Sequence, residues 1–184
     1  MLSRAALKAL LGGSTPPLPL FETTTQTLRA WPWLCDSLGH VNNARYLDLA
    51  SWGRIEWLAR AGLLRPSVRK RFSPIIAATS VVYRRSIPRM ASFSLETRVA
   101  GFDARWLYHE QTFLLGPEAG GKTAARVLAR LQIQQHGKGV NPEQALQAMG
   151  LELPSTRPTP PADFESWLAA QDACLNVVRA RDAR

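Results

Sequence analysis

The longest patterned run in the chain lies between about Ala44 and Ala61. At roughly 100° per residue, Tyr46, Leu47, Ala50, Ile55, Trp57, Leu58 and Ala61 fall on one broad face. Arg45, Asp48, Glu56 and Arg60 occupy the opposite arc, and only Arg54 intrudes on the apolar side. Glu56 and Arg60 also stand at the i, i+4 spacing that supports a solvated helix face. Gly62 supplies a stop. The pattern predicts one long amphipathic helix.

The segments around that helix read as strands. FETTTQTLRAW (Phe21 to Trp31) is Thr-rich, and Pro32 ends it or marks an edge. PIIAATSVVYRR (Pro74 to Arg85) is β-branched and nearly continuous, which predicts a central strand. ASFSLETRVAG alternates, with Phe93, Leu95, Thr97 and Val99 facing one way. WLYHEQTFLL (Trp106 to Leu115) follows. TAARVLARLQIQQ places Ala125, Val127, Ala129, Leu131 and Ile133 on one face and Arg126, Arg130, Gln132 and Gln134 on the other. Pro88, the Gly101-Phe102-Asp103 stretch and GPEAGGK are turn material, short enough for hairpins.

One strand, a long helix and four further strands imply an antiparallel five-stranded sheet curled around the helix, an α+β fold in which the first strand rejoins the sheet. Beyond it, NPEQALQAMG has an asparagine cap and a proline in its first turn, which predicts a short helix. LELPSTRPTPP is a proline-rich linker. The last segment carries Phe164, Trp167, Leu168, Leu175 and Val178 at helical spacing, with Cys174 in the same stripe, and reads as a docking helix. The expected divisions are an N-terminal extension (1–20), the sheet-and-helix domain (21–135), a short helix (136–150), the linker (151–162) and a C-terminal helix (163–184).

Composition narrows the classes. A chain of 184 residues, 46% hydrophobic and 20% charged, suits one globular domain with extensions. No run approaches the roughly 20 apolar residues of a membrane span, so no transmembrane segment is expected. Lys8 interrupts the apolar opening MLSRAALKALLGG, which predicts an amphipathic turn or helix, or a frayed end, rather than a signal peptide. Two distant cysteines, Cys35 and Cys174, fit a reducing, cytoplasmic setting. His40, His109 and His136 show no ligand spacing, so neither a metal nor another cofactor is expected. The net charge of +9, partly gathered in RPSVRKR and YRRSIPR, suits an anionic partner or a plain solvated surface.

The chemistry concentrates in CDSLGHVNNARYLDLASWGRIEW (Cys35 to Trp57). Its local reading is a capped helix: Asn42 or Asn43 caps, Gly39 turns, and Asp36 and His40 are loop polars. Its other reading is a reaction centre, because helix-start N–H groups lack intrahelical partners and sit at the positive end of the dipole. A carboxylate beside such donors faces a ready-made oxyanion site.

The run from Asp36 to Tyr46 reads D-x-x-G-H-V-N-N-x-x-Y and resembles the signature of the hotdog thioesterase superfamily, in its 4-hydroxybenzoyl-CoA thioesterase-like branch. The resemblance covers roughly Phe21 to Gln135 and implies the hotdog fold and hydrolysis of an acyl-coenzyme A thioester, with the site shared across a homodimer or homotetramer. It implies Asp36 as nucleophile or as base on water, and the Asn43 backbone N–H as carbonyl polariser. Gly39, His40, Asn42 and Tyr46 would bind or position substrate. Relatives often carry an aspartate where Leu34 stands, so a hydrogen-bonding neighbour of Asp36 is missing here. Coenzyme A phosphates would meet Arg84, Arg85 and Arg89, or else Arg69, Lys70 and Arg71.

The remaining candidates have plainer readings. Tyr46 suits a pocket wall, Cys35 lacks a histidine partner for nucleophilic work, and Asp48 and Glu56 are backup carboxylates on a solvent-facing arc. Trp31, Trp33, Trp52, Trp57 and Trp106 could wall an aromatic or a fatty pocket equally well. The competing classes are a non-catalytic hotdog protein that binds acyl-CoA, lipid or a protein, and a nucleic-acid binder. The last has only the charge in its favour, so no nucleic-acid partner is expected.

Overall fold

The computed structural model of the chain describes residues 17–118, 120–155 and 162–182. The N-terminal stretch 1–16 and the linker residues 156–161 lie outside the described residues. Strand β1 (Thr24–Arg29) and a 3-10 turn (Pro32–Leu34) lead into helix α1 (Asn43–Arg60). Helix α2 (Leu64–Lys70), strands β2 (Phe72–Tyr83), β3 (Ser92–Phe102), β4 (Leu107–Leu115) and β5 (Thr123–Gln135), a two-residue β6 (Lys138–Gly139), helix α3 (Pro142–Ala148) and helix α4 (Ala162–Asp182) follow. The basic run from Arg65 thus belongs to a short helix that the hydrophobic pattern does not announce.

The sheet is antiparallel, in the order β1-β3-β4-β5-β2, with β6 paired to β5. Strand β1 does rejoin the sheet, beside β3. Strand β2 is a correction: its unbroken apolar run predicts the centre, yet it pairs only with β5 and forms an edge. A continuous apolar run suits any strand covered on both faces. Here Ile75 and Val82 on the outer face and Ile76 on the helix side all stay exposed, so neither face of β2 is fully covered. The extra residue Ala77 makes a bulge between the pairs Ile76–Leu131 and Ala78–Arg130. Because strand side chains alternate, the bulge keeps Pro74 and Ile76 on the same face as Thr79, Val81 and Tyr83. That face shares the helix side with Ala125, Val127, Ala129, Leu131 and Ile133.

Two apolar clusters fill the space between α1 and the sheet, one around Trp57, Leu131 and Leu146 and one around Tyr46, Phe93 and Phe113. Gly53 lets the helix come down onto the strands: a Cβ there would lie 2.6 Å from Thr97 Oγ1 and 2.7 Å from Gln111 Nε2. The Gln111 amide N–H donates to the Ala50 carbonyl (2.7 Å), tying β4 to the helix backbone.

Two positions on α1 differ from the helical-wheel expectation. Leu47 is exposed, and Glu56, assigned to the solvent arc, is buried. The helix lies inside a curled sheet, so more than one side of it is covered, and a two-faced pattern cannot describe it.

A third cluster lies on the outer face of the sheet, where Phe164 of α4 packs with Tyr108, Leu128 and Ala100. Arg126–Asp163 and Arg130–Asp172 ion pairs pin the same helix. Docking is tightest over its first half: of the expected stripe, Cys174 and Val178 are exposed, lining with the half-buried Leu175 a groove beside Trp106 and Arg130. Among the described residues no helix is long and apolar enough to cross a membrane.

Candidate active site

The loop before α1 is a small antiparallel ladder. The Asn42 N–H donates to the Leu34 carbonyl (2.9 Å), Cys35 bridges Val41, and the Asp36 N–H donates to the His40 carbonyl (3.0 Å). Gly39 closes the turn, its N–H donating to the Asp36 carbonyl (3.1 Å) at φ +81, a conformation that favours glycine. Side chains alternate along such a ladder. Asp36, His40 and Asn42 therefore share one side, while Cys35 and Val41 share the other and pack into the core. Cys35 faces away from Asp36, and its thiol donates to the Trp31 carbonyl (3.5 Å).

Asn42 is the N-cap, and its Oδ1 accepts the Ala44 N–H at 2.9 Å. The Arg45 N–H goes to the Asn42 carbonyl. No hydrogen bond among the described residues uses the Asn43 N–H, so the first donor of an 18-residue helix stands free beside the Asp36 turn. The Asp36 carboxylate is partly buried. Its Oδ1 accepts the Leu38 N–H (3.0 Å) and lies 3.7 Å from His40 Nδ1, which leaves Oδ2 for other chemistry.

Other elements close in on this point. The Arg89 N–H donates to the Gly39 carbonyl (2.9 Å), and His40 bridges Pro88. The Tyr83 hydroxyl donates to the Asn43 carbonyl (2.9 Å), fixing the end of β2 against the start of α1. Arg84 and Arg85 follow directly, both exposed, with the Arg85 guanidinium partly held by the Thr123 carbonyl (2.9 Å). Tyr46 is buried and meets Tyr83 and Phe113 edge to face. Burial, with Tyr83 beside it, pushes its phenol up to about 12, so it is a neutral wall.

The structure thus gathers Asp36, Gly39, His40, Asn42, Asn43, Tyr46 and the Arg84–Arg89 segment at one end of the molecule. Arg69, Lys70 and Arg71 lie at the other end of β2, roughly 35 Å away along a 12-residue strand. Asp48 is exposed and paired with Arg45 (2.9 Å), and Glu56 is buried on the helix. Among the described residues no group of three or more His, Cys, Asp or Glu side chains could hold a metal ion.

An apolar cavity of about 240 Å³ lies further along α1, between the helix and β2. Asp36 does not line it. Its inner wall includes Trp57, His109, Leu131, Ile133, Leu146 and Met149, and its partly exposed residues Ser51, Arg54 and Ile76 lie at the opening. The Arg54 guanidinium donates to Gln111 Oε1 (2.7 Å) and Ser51 Oγ (2.8 Å), and burial lowers it to about 10. The hydrophobic pattern offers one hint of this site. Leu107, His109, Gln111 and Phe113 share the inward side of β4, so two polar residues sit in a core stripe.

The family model described as the Thioesterase-like superfamily matches residues 30–171, more than three quarters of the chain. The chain belongs to that superfamily. The match runs past Gly150 into α4, further than the motif-bearing region alone. Protein THEM6 from Xenopus laevis is 29% identical over 145 residues, covering 79% of this chain and 67% of that protein. Thioesterase poxG from Penicillium oxalicum is 27% identical over 166 residues, covering 72% of this chain and 55% of that protein. Among solved structures, a 1,4-dihydroxy-2-naphthoyl-CoA thioesterase from Synechocystis superposes with a TM-score of 0.58. It is 13% identical and covers 70% of this chain and 95% of that one, a likeness of fold alone. The α+β architecture is the hotdog fold, a curled antiparallel sheet around α1 with an added C-terminal helix.

Proposed function

We propose that the chain hydrolyses the thioester of an acyl-coenzyme A to the free acid and coenzyme A. The observation that carries this reading is the free Asn43 N–H at the start of α1, next to a turn that presents the Asp36 carboxylate. The thioester carbonyl oxygen would accept from that N–H, at the positive end of the helix dipole. Asp36 Oδ2 would then attack the carbonyl carbon, leaving an acyl anhydride on Asp36 that water hydrolyses to the free acid once the thiolate has left, or take a proton from an attacking water. Collapse of the tetrahedral centre breaks the C–S bond, and the departing thiolate takes a proton from solvent. His40, Gly39 and Asn42 hold the turn and the cap, and Tyr46 walls the site. Arg84, Arg85 and Arg89 would receive coenzyme A phosphates, a reading favoured by the contact of Arg89 with Gly39.

The exposed β2 edge, with Ile75, Ile76 and Val82 uncovered, supports a homodimer or a larger homo-oligomer, because a long bare edge is a template for a second strand. Light scattering at micromolar concentration tests this, with at least twice the chain mass expected.

A second reading is binding of acyl-CoA without turnover. It is favoured by the Leu38 N–H on Asp36 Oδ1, which gives that carboxylate a local structural task. Free-thiol release from octanoyl-, hexadecanoyl- and benzoyl-coenzyme A separates the two. Hydrolysis of any of them supports the enzyme, whereas saturable binding with no thiol released supports the second reading.

A further inference from the structure

Arg54 is a half-buried cation without a counter-ion. Its guanidinium donates to Gln111 Oε1 (2.7 Å) and Ser51 Oγ (2.8 Å), both neutral. None of the ion pairs among the described residues includes it. Burial lowers it only to about 10, so it keeps its charge at neutral pH. A guanidinium carries five N–H donors. The Nε–H of Arg54 has no acceptor among the described residues and, unlike Trp57 Nε1 and His109 Nδ1, is not sealed from solvent. A carboxylate is the group that such a fork of donors holds best.

The sheet register says where this charge stands. The bond to Gln111 sets the guanidinium beside the inward row Gln111–Val127–Val81. The next inward rows are His109–Ala129–Thr79, Leu107–Leu131–Ile76 and Ile133–Pro74, and they supply the strand side of the 240 Å³ cavity. The cavity therefore has a charged end at Arg54 and Ser51 and an apolar end at Ile133, Leu146 and Met149. Ser67, the other hydroxyl on its wall, is spent on the Leu64 carbonyl (2.8 Å).

A hole polarised in this way suits a molecule with an anionic head and an apolar tail. A cavity of about 150 Å³ holds benzene, so 240 Å³ holds roughly ten heavy atoms. From Ala129 to Ile133 is four residues of β5, about 14 Å, which a saturated chain spans in roughly eleven bonds. The tail gains by leaving water for that wall, whereas a carboxylate among the same residues would lose its hydration. The acid group thus stays on the guanidinium, beside Ser51 and Ile76 at the opening.

An acyl chain still joined to coenzyme A uses only half of this site. With its carbonyl at Asn43, eight residues and about 12 Å before Ser51 on α1, it would pass Arg54 as hydrocarbon. A free acid uses both ends. We infer that the cavity is a binding site for a free monocarboxylic acid with a saturated chain of about eight to twelve carbons, its carboxylate on Arg54 and its tail toward Leu146 and Met149. The assignment does not depend on the thioesterase reading.

Calorimetric titration of the full chain at pH 7 with hexanoate, octanoate, decanoate, tetradecanoate and octan-1-ol tests it. One acid should bind per chain, with affinity rising about fourfold per methylene to decanoate and levelling before tetradecanoate. Octan-1-ol, with the same tail and no charge, should bind at least about tenfold more weakly than octanoate. Arg54→Gln should weaken octanoate by about tenfold to a hundredfold and leave octan-1-ol unchanged. Should that variant not fold, the ratio of octanoate to octan-1-ol in the unaltered chain carries the test. Asp36→Asn should bind octanoate as the unaltered chain does, and a loss there would place the acid at the Asp36 turn instead. Equal affinity for octanoate and octan-1-ol, or unchanged octanoate affinity in Arg54→Gln, would overturn the role of the cation. An undiminished climb to tetradecanoate would overturn the cavity as the place of the tail, and no saturable binding would remove the site. None of these measurements involves turnover, so failure here and failure of the thioesterase reading are separate results.

Discussion

Replacing Gly53 by alanine sets two opposed effects against each other in the middle of α1. Alanine is better than glycine in a helix interior by about 1 kcal/mol. The added methyl, however, would lie 2.6 Å from Thr97 Oγ1, 2.7 Å from Gln111 Nε2 and 2.9 Å from Leu95 Cδ2, closer than real contacts allow. Overpacking of this kind typically costs about 1–3 kcal/mol. The Gln111 carboxamide has little room to yield, because it donates to the Ala50 carbonyl (2.7 Å) and accepts from Arg54 (2.7 Å). Displacing it leaves buried polar groups unpaired, at a further cost of about 1–3 kcal/mol. The steric and polar losses win, and Gly53→Ala should destabilise by about 2 kcal/mol. For a chain of this length that lowers Tm by about 4–8 °C. Thermal unfolding by circular dichroism reads it directly. Adding Thr97→Ala should recover part of the loss, because the two sites share a contact. An unchanged or raised Tm in Gly53→Ala would refute the close approach of α1 to the sheet.

Three further outcomes follow from single features. Asn42→Ala removes the side-chain cap on Ala44 N–H and should cost about 1 kcal/mol, read as a lower urea midpoint with unchanged slope. His109 titrates near 3 in the fold against 6.5 when exposed, so the unfolded chain binds the extra proton between those values. Stability is therefore lost as pH falls through that window, by about 2 kcal/mol between pH 7 and pH 5, and His109→Leu should show a shallower decline. Phe164→Ala empties the contact of α4 with Tyr108 and Leu128, at a cost of about 3 kcal/mol. Hydrogen exchange should then show α4 amides losing protection while those of α1 keep theirs.

Much of this architecture is legible in the residue pattern, for identifiable reasons. Phe93, Leu95, Thr97 and Val99 alternate strictly and are all buried on the helix side, as are the five inward residues of β5. The Asn42 cap and the Gly39 turn are equally readable, because each depends on local backbone chemistry. Strand order is not local. Nothing within Pro74–Arg85 says that its second neighbour is absent, so its apolar run reads as central. The burial of Glu56 likewise depends on a sheet that wraps the helix. The cavity escapes a linear reading for the same reason, since its wall is assembled from α1, β2, β4, β5 and α3. The first half of α4 matches its apolar stripe, whereas in the second half Cys174 and Val178 stay exposed along a groove beside Trp106 and Arg130.

The central claim is that Asp36 and the first N–H of α1 together break a thioester. The direct measurement is thiol release by Asp36→Asn against the unaltered chain, at saturating acyl-coenzyme A, with folding checked by circular dichroism. Asparagine keeps the size of the side chain and an oxygen for the Leu38 N–H, and removes only the charge. A fall of about 10²- to 10⁴-fold in kcat, with the fold intact, is the predicted result. Turnover within a few-fold of the original would contradict the assignment of the reaction to Asp36.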